Sequence, residues 1–142
     1  MKKQYKINNL AETELLAASL AEEIQKRRFV CLYGGLGSGK TTFTKYIVKA
    51  LIPECLPLVH SPTFAIVNEY LGEKDNIFHF DLYRIKDEEE LYATGFYDYE
   101  DRNGILILEW PENIKEIVPE NAIHIRIETA NDERIFYLEV DE

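Results

Sequence analysis

Cysteine and long hydrophobic runs are both scarce in this sequence. Only two cysteines occur, Cys31 and Cys55, and they form no C-x-x-C motif, which excludes a disulfide framework. Cys31 lies in the apolar run 29–33, and we expect it to be a small buried side chain. No stretch approaches about 18 consecutive apolar residues, and the N-terminal lysines precede no apolar segment. These absences predict a cytoplasmic protein with neither a membrane span nor a signal peptide.

Positive charge is also in the minority. Sixteen Lys and Arg residues stand against twenty-six Asp and Glu residues, which gives a formal net charge of −10. A surface of that sign repels polyphosphates, so we expect no direct, tight binding of nucleic acid. One small phosphate ligand is still compatible with this charge, because local backbone amides and one or two cations can bind it. The length predicts a single domain over residues 1–142.

Short segments rich in β-branched and aromatic residues predict strands along the whole chain. Two of these segments, 29–33 and 105–108, are continuously apolar, which is typical of strands covered on both faces. The last two segments alternate between apolar and polar residues, as in an antiparallel pair with one solvated face. The predicted strands are residues 5–7, 29–33, 64–70, 77–83, 105–108, 123–127 and 135–140.

Helical periodicity fills the spaces between several of these strands. Asn9, followed by Glu12, forms a capping-box pattern at the start of a helix that extends to about residue 28. A second helix follows a glycine-rich loop and ends at Pro53, and a short third helix, capped by Asp87, extends through Tyr92 and stops at Gly95. The residues expected on one face of the second helix are Phe43, Ile47, Ala50 and Leu51. The order of elements predicts an α/β fold with a mixed, partly antiparallel sheet.

Residues 34–41 satisfy the pattern G-x-x-x-x-G-K-[ST] of a phosphate-binding loop. Glycines let phosphate oxygens approach the backbone, and the amides of residues 37–41 can form an anion-binding nest at a helix N-terminus. Lys40 would then reach the β- and γ-phosphates, and the Thr41 hydroxyl would be a ligand for Mg²⁺. A buried strand before the loop and an amphipathic helix after it predict a three-layer α/β/α architecture of the P-loop NTPase type.

A loop of this kind works with a carboxylate at the end of a neighbouring strand. Asp81 and Glu109 both occupy such positions. We assign Glu109 to the metal, because its strand is the more apolar and therefore the more central, and Asp81 to orienting the attacking water or a metal-bound water. The sequence alone allows the two roles to be exchanged. Thr63 lies either in a turn that senses the γ-phosphate or in an ordinary turn before a strand.

Two further residues near these acids are less specific. The three histidines have no metal-ligand spacing, so we expect His79 to be a structural histidine with its hydrogen bonds satisfied. Trp110 follows Glu109 directly and lies either near the nucleotide or in a core or interface.

The pattern of motifs also separates classes of nucleotide protein. The base-reading N-K-x-D motif typical of GTPases is absent, and the six arginines are dispersed rather than grouped in a kinase lid. An ATP-driven switch that acts on a partner protein therefore fits better than a small-molecule kinase. A binding module that holds nucleotide without turnover is the third hypothesis.

Four motifs in a fixed order carry a resemblance to a known family. The phosphate-binding loop is followed by S-P-T-F at 61–64, H-F-D-L-Y-R at 79–84 and E-W-P at 109–111. From about Asn9 to Arg134, the chain resembles the TsaE (YjeE-type) family, small P-loop ATPases of bacterial tRNA threonylcarbamoyladenosine synthesis. The resemblance implies a weak ATPase that uses ATP and Mg²⁺ and acts with the TsaB–TsaD pair, which modifies adenosine 37 of tRNA. Contact with tRNA would then be indirect, through that pair.

The same resemblance implies roles for individual residues. Thr41 and Glu109 match magnesium-binding positions, and Asp81 matches a nucleotide-site acid. Arg134 lies near the position of a family arginine close to the nucleotide. The residues that match the phosphate loop are Leu36, Gly37, Ser38, Gly39, Lys40 and Thr41. Gly35 is a departure, because the family usually has Asp or Glu there, and this puts the rate of hydrolysis in doubt.

Overall fold

The computed structural model describes residues 1–62 and 65–141, and within them seven strands form one sheet in the order β1-β7-β6-β2-β5-β4-β3. The strands are β1 (Lys2–Ile7), β2 (Phe29–Tyr33), β3 (Val67–Leu71), β4 (Asn76–Asp81), β5 (Ile105–Glu109), β6 (Ile123–Ala130) and β7 (Glu133–Val140). The helices are α1 (Leu10–Arg27), α2 (Lys40–Leu51), α3 (Glu88–Ala93) and α4 (Phe96–Glu100). Short 3₁₀ segments cover Pro53–Leu58 and Pro111–Ile117.

The sheet is mixed, as the sequence predicts. Strands β6, β2, β5 and β4 pair in parallel at its centre, whereas β7, β1 and β3 are added by antiparallel pairing. The predicted antiparallel pair at the C-terminal end is β6 with β7, which is confirmed. Strand β1 pairs with β7, so the first and last strands of the chain are neighbours. The carboxyl ends of the four parallel strands meet at one edge, where ligands bind in open α/β sheets.

Hydrophobic side chains pack on both faces of the sheet, which confirms the layered α/β prediction. One core contains residues of α1 and α2, with Ile24, Phe43 and Ile47 fully buried against the sheet. The second core lies on the other face, where Leu91 of α3 and Phe96 of α4 pack on the sheet. The continuously apolar strands β2 and β5 have every residue buried, because helices or 3₁₀ segments cover both of their faces.

The first helix begins and ends as its sequence indicates. The Asn9 side chain accepts a hydrogen bond from the Glu12 amide at 2.9 Å, and the Glu12 carboxylate accepts one from the Asn8 amide at 2.7 Å. These bonds satisfy amides that the helix itself leaves unpaired. At the other end, Arg28 adopts a left-handed φ of 71°, and its guanidinium binds Asp75 at 2.7 Å.

Several predicted boundaries are wrong. The strand expected at 64–70 begins only at Val67, because Ile66 adopts a left-handed φ of 70°; Phe64 lies outside the described residues. The strand expected at 77–83 ends at Asp81, whose carboxylate accepts a hydrogen bond from the Tyr83 amide at 3.0 Å and so turns the chain. Ala50 was expected on the inner face of α2 but is exposed, whereas Val48 is buried. Helix α4 was not predicted.

Cys31 is fully buried in β2, as expected, and burial raises the pKa of its thiol to about 12.

None of the helices in the described part of the chain combines the length and the hydropathy that a membrane crossing requires.

Candidate nucleotide-binding site

The glycine-rich loop joins β2 to α2 at the carboxyl edge of the sheet. Gly37 and Gly39 adopt left-handed φ values of 76° and 110°, which side chains with a Cβ rarely tolerate. A Cβ at Gly34 would lie 2.6 Å from Ser38 Oγ and 2.7 Å from the Ile127 carbonyl oxygen, so only glycine fits there. Helix α2 begins at Lys40 without a side-chain cap, which leaves its first amides available to an anion.

Arg134 of β7 is hydrogen-bonded to the backbone of this loop. Its Nε donates to the Ser38 carbonyl at 2.6 Å, and its Nη2 lies 3.3 Å from the Gly37 carbonyl oxygen. These bonds bind two carbonyls of the loop, while the loop amides remain available to a ligand. The structure therefore places Arg134 beside the loop, and its predicted position close to the nucleotide stays a prediction.

Lys40 is the cation of the loop and is only 5% exposed. Its ammonium donates to the Gly34 carbonyl and lies 3.7 Å from the centre of the Trp110 ring. Burial lowers the pKa of Lys40, and the neighbouring carboxylates of Glu109, Glu112 and Asp81 act in the opposite direction. Trp110 lines the cleft beside the loop and also packs, partly buried, against the hydrophobic core, so both positions left open for it apply in part.

Asp81 and Glu109 lie directly opposite each other in the register of β4 and β5. The Thr41 hydroxyl donates to Glu109 Oε2 at 3.0 Å, so the first turn of α2 meets the end of β5. A hydroxyl oxygen and a carboxylate oxygen are the kinds of ligand that Mg²⁺ prefers. Both acids are nearly buried, with 8% and 4% exposure respectively. Within residues 1–62 and 65–141, no group of three or more His, Cys, Asp or Glu residues is placed to hold a metal ion.

His79 is a contact of this site that sequence reasoning missed. The ring is fully buried and hydrogen-bonded, which confirms the prediction of a satisfied structural histidine. Its partner, however, is Glu109, with Nε2 2.5 Å from Oε2. The available signal was the period of two in β4, which places His79 on the same face of the strand as Asp81.

Residues of the glycine-rich loop, the start of α2 and the ends of β4 and β5 surround a cleft of about 270 Å³. Thr63 lies outside the described residues, so its predicted role stays a prediction; Ser61, two residues before it, lines the cleft. The lining residues are Gly35, Leu36, Gly37, Ser38, Gly39, Lys40, Thr41, Thr42, Ser61, Asp81, Glu109, Trp110 and Arg134. The structure thus brings together all the predicted site residues that it describes.

A second cavity of about 220 Å³ adjoins the loop on the side of α1. It shares Gly39, Thr42 and Arg134 with the first cleft. The remaining lining residues are Ile7, Asn8, Asn9, Leu10, Thr13, Asp132 and Phe136. Local sequence patterns gave no sign of this cavity, because it depends on the pairing of β1 with β7.

The Ser38 hydroxyl is buried without a hydrogen-bond partner among the described residues. An unpaired buried hydroxyl destabilises the folded state, because it loses its bonds to water without replacing them. We expect Ser38→Ala to raise the free energy of unfolding by about 1 kcal/mol. Urea denaturation measures this change, and a lower midpoint for the alanine variant would contradict the expectation.

Comparison with known proteins places these features in context. The family model described as "Threonylcarbamoyl adenosine biosynthesis protein TsaE" matches residues 7–136. The tRNA threonylcarbamoyladenosine biosynthesis protein TsaE of Rickettsia felis is 38% identical over 128 residues, which cover 90% of this chain and 74% of that protein. The protein of the same name from Aquifex aeolicus is 39% identical over 124 residues, covering 82% and 88% of the two chains.

The fold has a counterpart among solved structures. The crystal structure of Bacillus subtilis YdiB is similar with a TM-score of 0.71 and 25% sequence identity. The similarity covers 99% of this chain and 86% of the YdiB chain. It therefore includes the whole sheet and the loop edge described above.

Proposed function

The chain belongs to the TsaE family, which takes part in tRNA threonylcarbamoyladenosine biosynthesis, and on that basis we propose that it is a Mg²⁺-dependent ATPase. The observation that carries this proposal is the hydrogen bond from Thr41 to Glu109 at the base of the glycine-rich loop. It joins a hydroxyl at the start of α2 to a carboxylate at the end of the adjacent strand. P-loop NTPases hold the magnesium of a bound nucleotide with groups of this kind.

Different groups of the loop would bind different parts of the phosphates. The amides that open α2 would donate to phosphate oxygens, and the left-handed glycines would let the phosphates approach the backbone closely enough for this. Lys40 would exchange its bond to the Gly34 carbonyl for bonds to the β- and γ-phosphates, since its ammonium already lies at the loop. Thr41 and Glu109 would hold Mg²⁺, which neutralises charge on the phosphates when bound.

The second cavity is a suitable place for the nucleotide base. It continues from the loop at Gly39 and Thr42, where the phosphates would end. Asn8 and Asn9 add amide groups to its wall, and Leu10 and Phe136 add apolar surface. The walls thus mix apolar and polar side chains, which offers a base both packing surface and hydrogen-bond partners.

We assign Asp81 to orienting water for hydrolysis. Its carboxylate lies at the end of β4, lines the cleft, and faces Glu109 in the sheet register. One carboxylate oxygen is held by the Tyr83 amide at 3.0 Å, which fixes the side chain in the cleft. A positioned carboxylate can accept a hydrogen bond from the attacking water.

We further propose that the protein acts in the cytoplasm on the TsaB–TsaD pair and reaches tRNA only through it. The net charge of −10 disfavours direct contact with RNA. Leu36 lines the cleft and is 78% exposed, and Tyr83, 51% exposed, packs against the Trp110 ring at the cleft wall. Exposed apolar groups beside a binding cleft are typical of a surface that meets another protein.

A nucleotide-binding module without required turnover is the second candidate, and Gly35 is the observation that favours it. The position carries no carboxylate, although the loop around it is formed. Phosphate binding by the amides and Lys40 does not depend on that missing acid.

An ATPase assay with and without the TsaB–TsaD pair, run beside a tRNA modification assay, tests the proposal. We expect phosphate release to be slow alone and faster with the pair, and modification to require hydrolysis. Modification that continues through many cycles with a non-hydrolysable ATP analogue would favour the binding module. Phosphate transfer to a small molecule would instead indicate a kinase.

Restoring an acid at position 35 provides a further prediction. A Cβ at Gly35 would meet no atom within 4 Å, and the residue is exposed. We therefore expect Gly35→Asp to leave the melting temperature nearly unchanged while raising ATP turnover. Gly35→Asn, of the same size without the charge, is the matched control and should not raise turnover. Equal turnover in the two variants would show that the carboxylate has no role.

A further inference from the structure

A buried chain of polar side chains leads away from the nucleotide site. It begins at Glu109, whose Oε2 lies 2.5 Å from Nε2 of His79. The other ring nitrogen of His79, Nδ1, lies 3.3 Å from the hydroxyl of Tyr70. His79 is 0% and Tyr70 is 1% exposed, so these contacts are shielded from water. The proposed function gives no task to either residue.

The direction of these hydrogen bonds follows from the groups involved. A carboxylate can only accept, so Nε2 of His79 carries a hydrogen and donates it to Glu109. In the neutral ring Nδ1 is then an acceptor, and the Tyr70 hydroxyl has one hydrogen that it can donate either to Nδ1 or to the His60 carbonyl oxygen, each 3.3 Å away. The Tyr70 oxygen in turn accepts from Asn68 Nδ2 at 3.3 Å. The contacts of the two ring nitrogens with Glu109 and Tyr70 hold the imidazole ring in a single orientation.

The Glu109 carboxylate is clamped between two elements by these contacts. Thr41, at the start of α2, and His79, in β4, both donate to the same oxygen, Oε2. His79 itself does not line the cleft, so it can act on a ligand only through Glu109. Carboxylates that ligate metals are commonly oriented by hydrogen bonds of this kind from a second residue.

The other end of the chain reaches the segment that borders the cleft. Asn68 Nδ2 donates to the His60 carbonyl at 2.9 Å, and the Tyr70 hydroxyl lies 3.3 Å from the same oxygen. His60 directly precedes Ser61, which lines the cleft. The position of the carboxylate and the position of this backbone therefore depend on one chain of hydrogen bonds, which is buried at Glu109, His79 and Tyr70 and half-buried at Asn68.

We propose that His79 is a positioning residue, which orients the Glu109 carboxylate for magnesium and, through Tyr70 and Asn68, couples that orientation to the backbone at His60. The inference rests on the proposed nucleotide site. A histidine that only fills space would be replaceable by leucine without effect on the metal. A positioning histidine affects the affinity for Mg²⁺ and leaves metal-free nucleotide binding unchanged.

Magnesium titration of the ADP-loaded protein separates these roles, with the fluorescence of Trp110, the single tryptophan, as the readout. In His79→Leu we expect the Mg²⁺ affinity to fall by roughly ten- to a hundredfold. His79→Gln, whose amide nitrogen can donate to Glu109, should recover to within about fivefold of the wild type. Tyr70→Phe should weaken Mg²⁺ binding about fivefold, because Nδ1 loses its donor. Calorimetry should find the same metal-free ADP affinity in all variants.

A second histidine–tyrosine pair in the sheet provides the matched control. His124 Nδ1 lies 2.9 Å from the Tyr33 hydroxyl, and neither residue lines the cleft. His124→Leu and Tyr33→Phe remove the same chemical groups in the same sheet. Both should bind Mg²⁺ with the affinity of the wild type.

The outcomes separate this inference from the proposed function. A wild-type protein that binds no ADP would refute the nucleotide site itself. If the wild type binds Mg²⁺ and ADP while a folded His79→Leu variant keeps its Mg²⁺ affinity, the positioning role is wrong and the nucleotide site stands. Thermal denaturation monitors folding. Should the leucine variant be unfolded, Tyr70→Phe decides: a fivefold loss supports the positioning role, and an unchanged affinity overturns it.

Discussion

Lys40→Ala is expected to abolish measurable ATP turnover while the protein stays folded. The ammonium lies at the loop and donates to the Gly34 carbonyl, and we propose it as the cation that binds the β- and γ-phosphates. Removing one such preorganised donor from a phosphoryl-transfer site costs on the order of a hundred- to a thousandfold in rate. Because the intrinsic activity is expected to be slow, this loss would bring turnover to the background.

The fold should survive because burial already disfavours the charged form of Lys40, as its lowered pKa indicates. The side chain contacts the Trp110 ring, and because Lys40 is buried we expect the loss of this contact to cost about 2 kcal/mol, which a folded domain can tolerate. Lys45→Ala is the matched control, because Lys45 is an exposed lysine of the same helix. Phosphate release and thermal denaturation measure the two effects, and turnover equal to the control would refute the assignment of Lys40.

Glu109→Ala is expected to reduce Mg²⁺-dependent turnover about a hundredfold or more, with a much smaller effect on metal-free ADP binding. The carboxylate accepts a hydrogen bond from Thr41 at the proposed metal position, whereas the phosphates are expected to bind the amides at the start of α2. Calorimetry with ADP, in the presence and absence of Mg²⁺, separates the two effects. An equal loss of affinity in both conditions would contradict the assignment of Glu109 to the metal.

Two companion variants sharpen the Glu109 experiment. Alanine leaves the donors of Thr41 and His79 unpaired, and each unpaired buried donor costs about 1–3 kcal/mol of stability. Glu109→Gln keeps an oxygen acceptor and the side-chain volume while it removes the charge, so a loss of Mg²⁺ dependence in this variant is due to charge. Glu112→Ala, which removes a nearby exposed acid, should leave the Mg²⁺ dependence intact.

The phosphate-binding loop and the strands beside it could be predicted because their signals are local. The run 29–33 is apolar at every position, and the structure buries all five residues. The capping pattern at Asn9 involves residues within one helical turn, and it forms as expected. A predicted strand boundary was wrong where the backbone turns despite a residue of high β propensity, as at Ile66 with its left-handed φ.

The two acids show where sequence reasoning about the site reached its limit. Asp81 and Glu109 could be placed at strand ends from the apolar runs before them. Their direct opposition is a matter of strand register between β4 and β5, which local sequence does not specify. The choice of Glu109 for the metal was argued from its more central strand, and the structure does place β5 beside β2 and nearer the centre than β4.

The loop, the capping of α1 and the candidate acids could thus be predicted from residues close together in the chain. Hydrogen bonds over a few residues and periodic burial leave a local pattern in the sequence. Contacts between distant segments required the assembled sheet. Arg134 meets the loop 96 residues away at Ser38, and His79 meets Glu109 across 30 residues. The second cavity forms only where β1 pairs with β7. Strand order and register decide these contacts, since they bring together side chains that no short-range pattern connects.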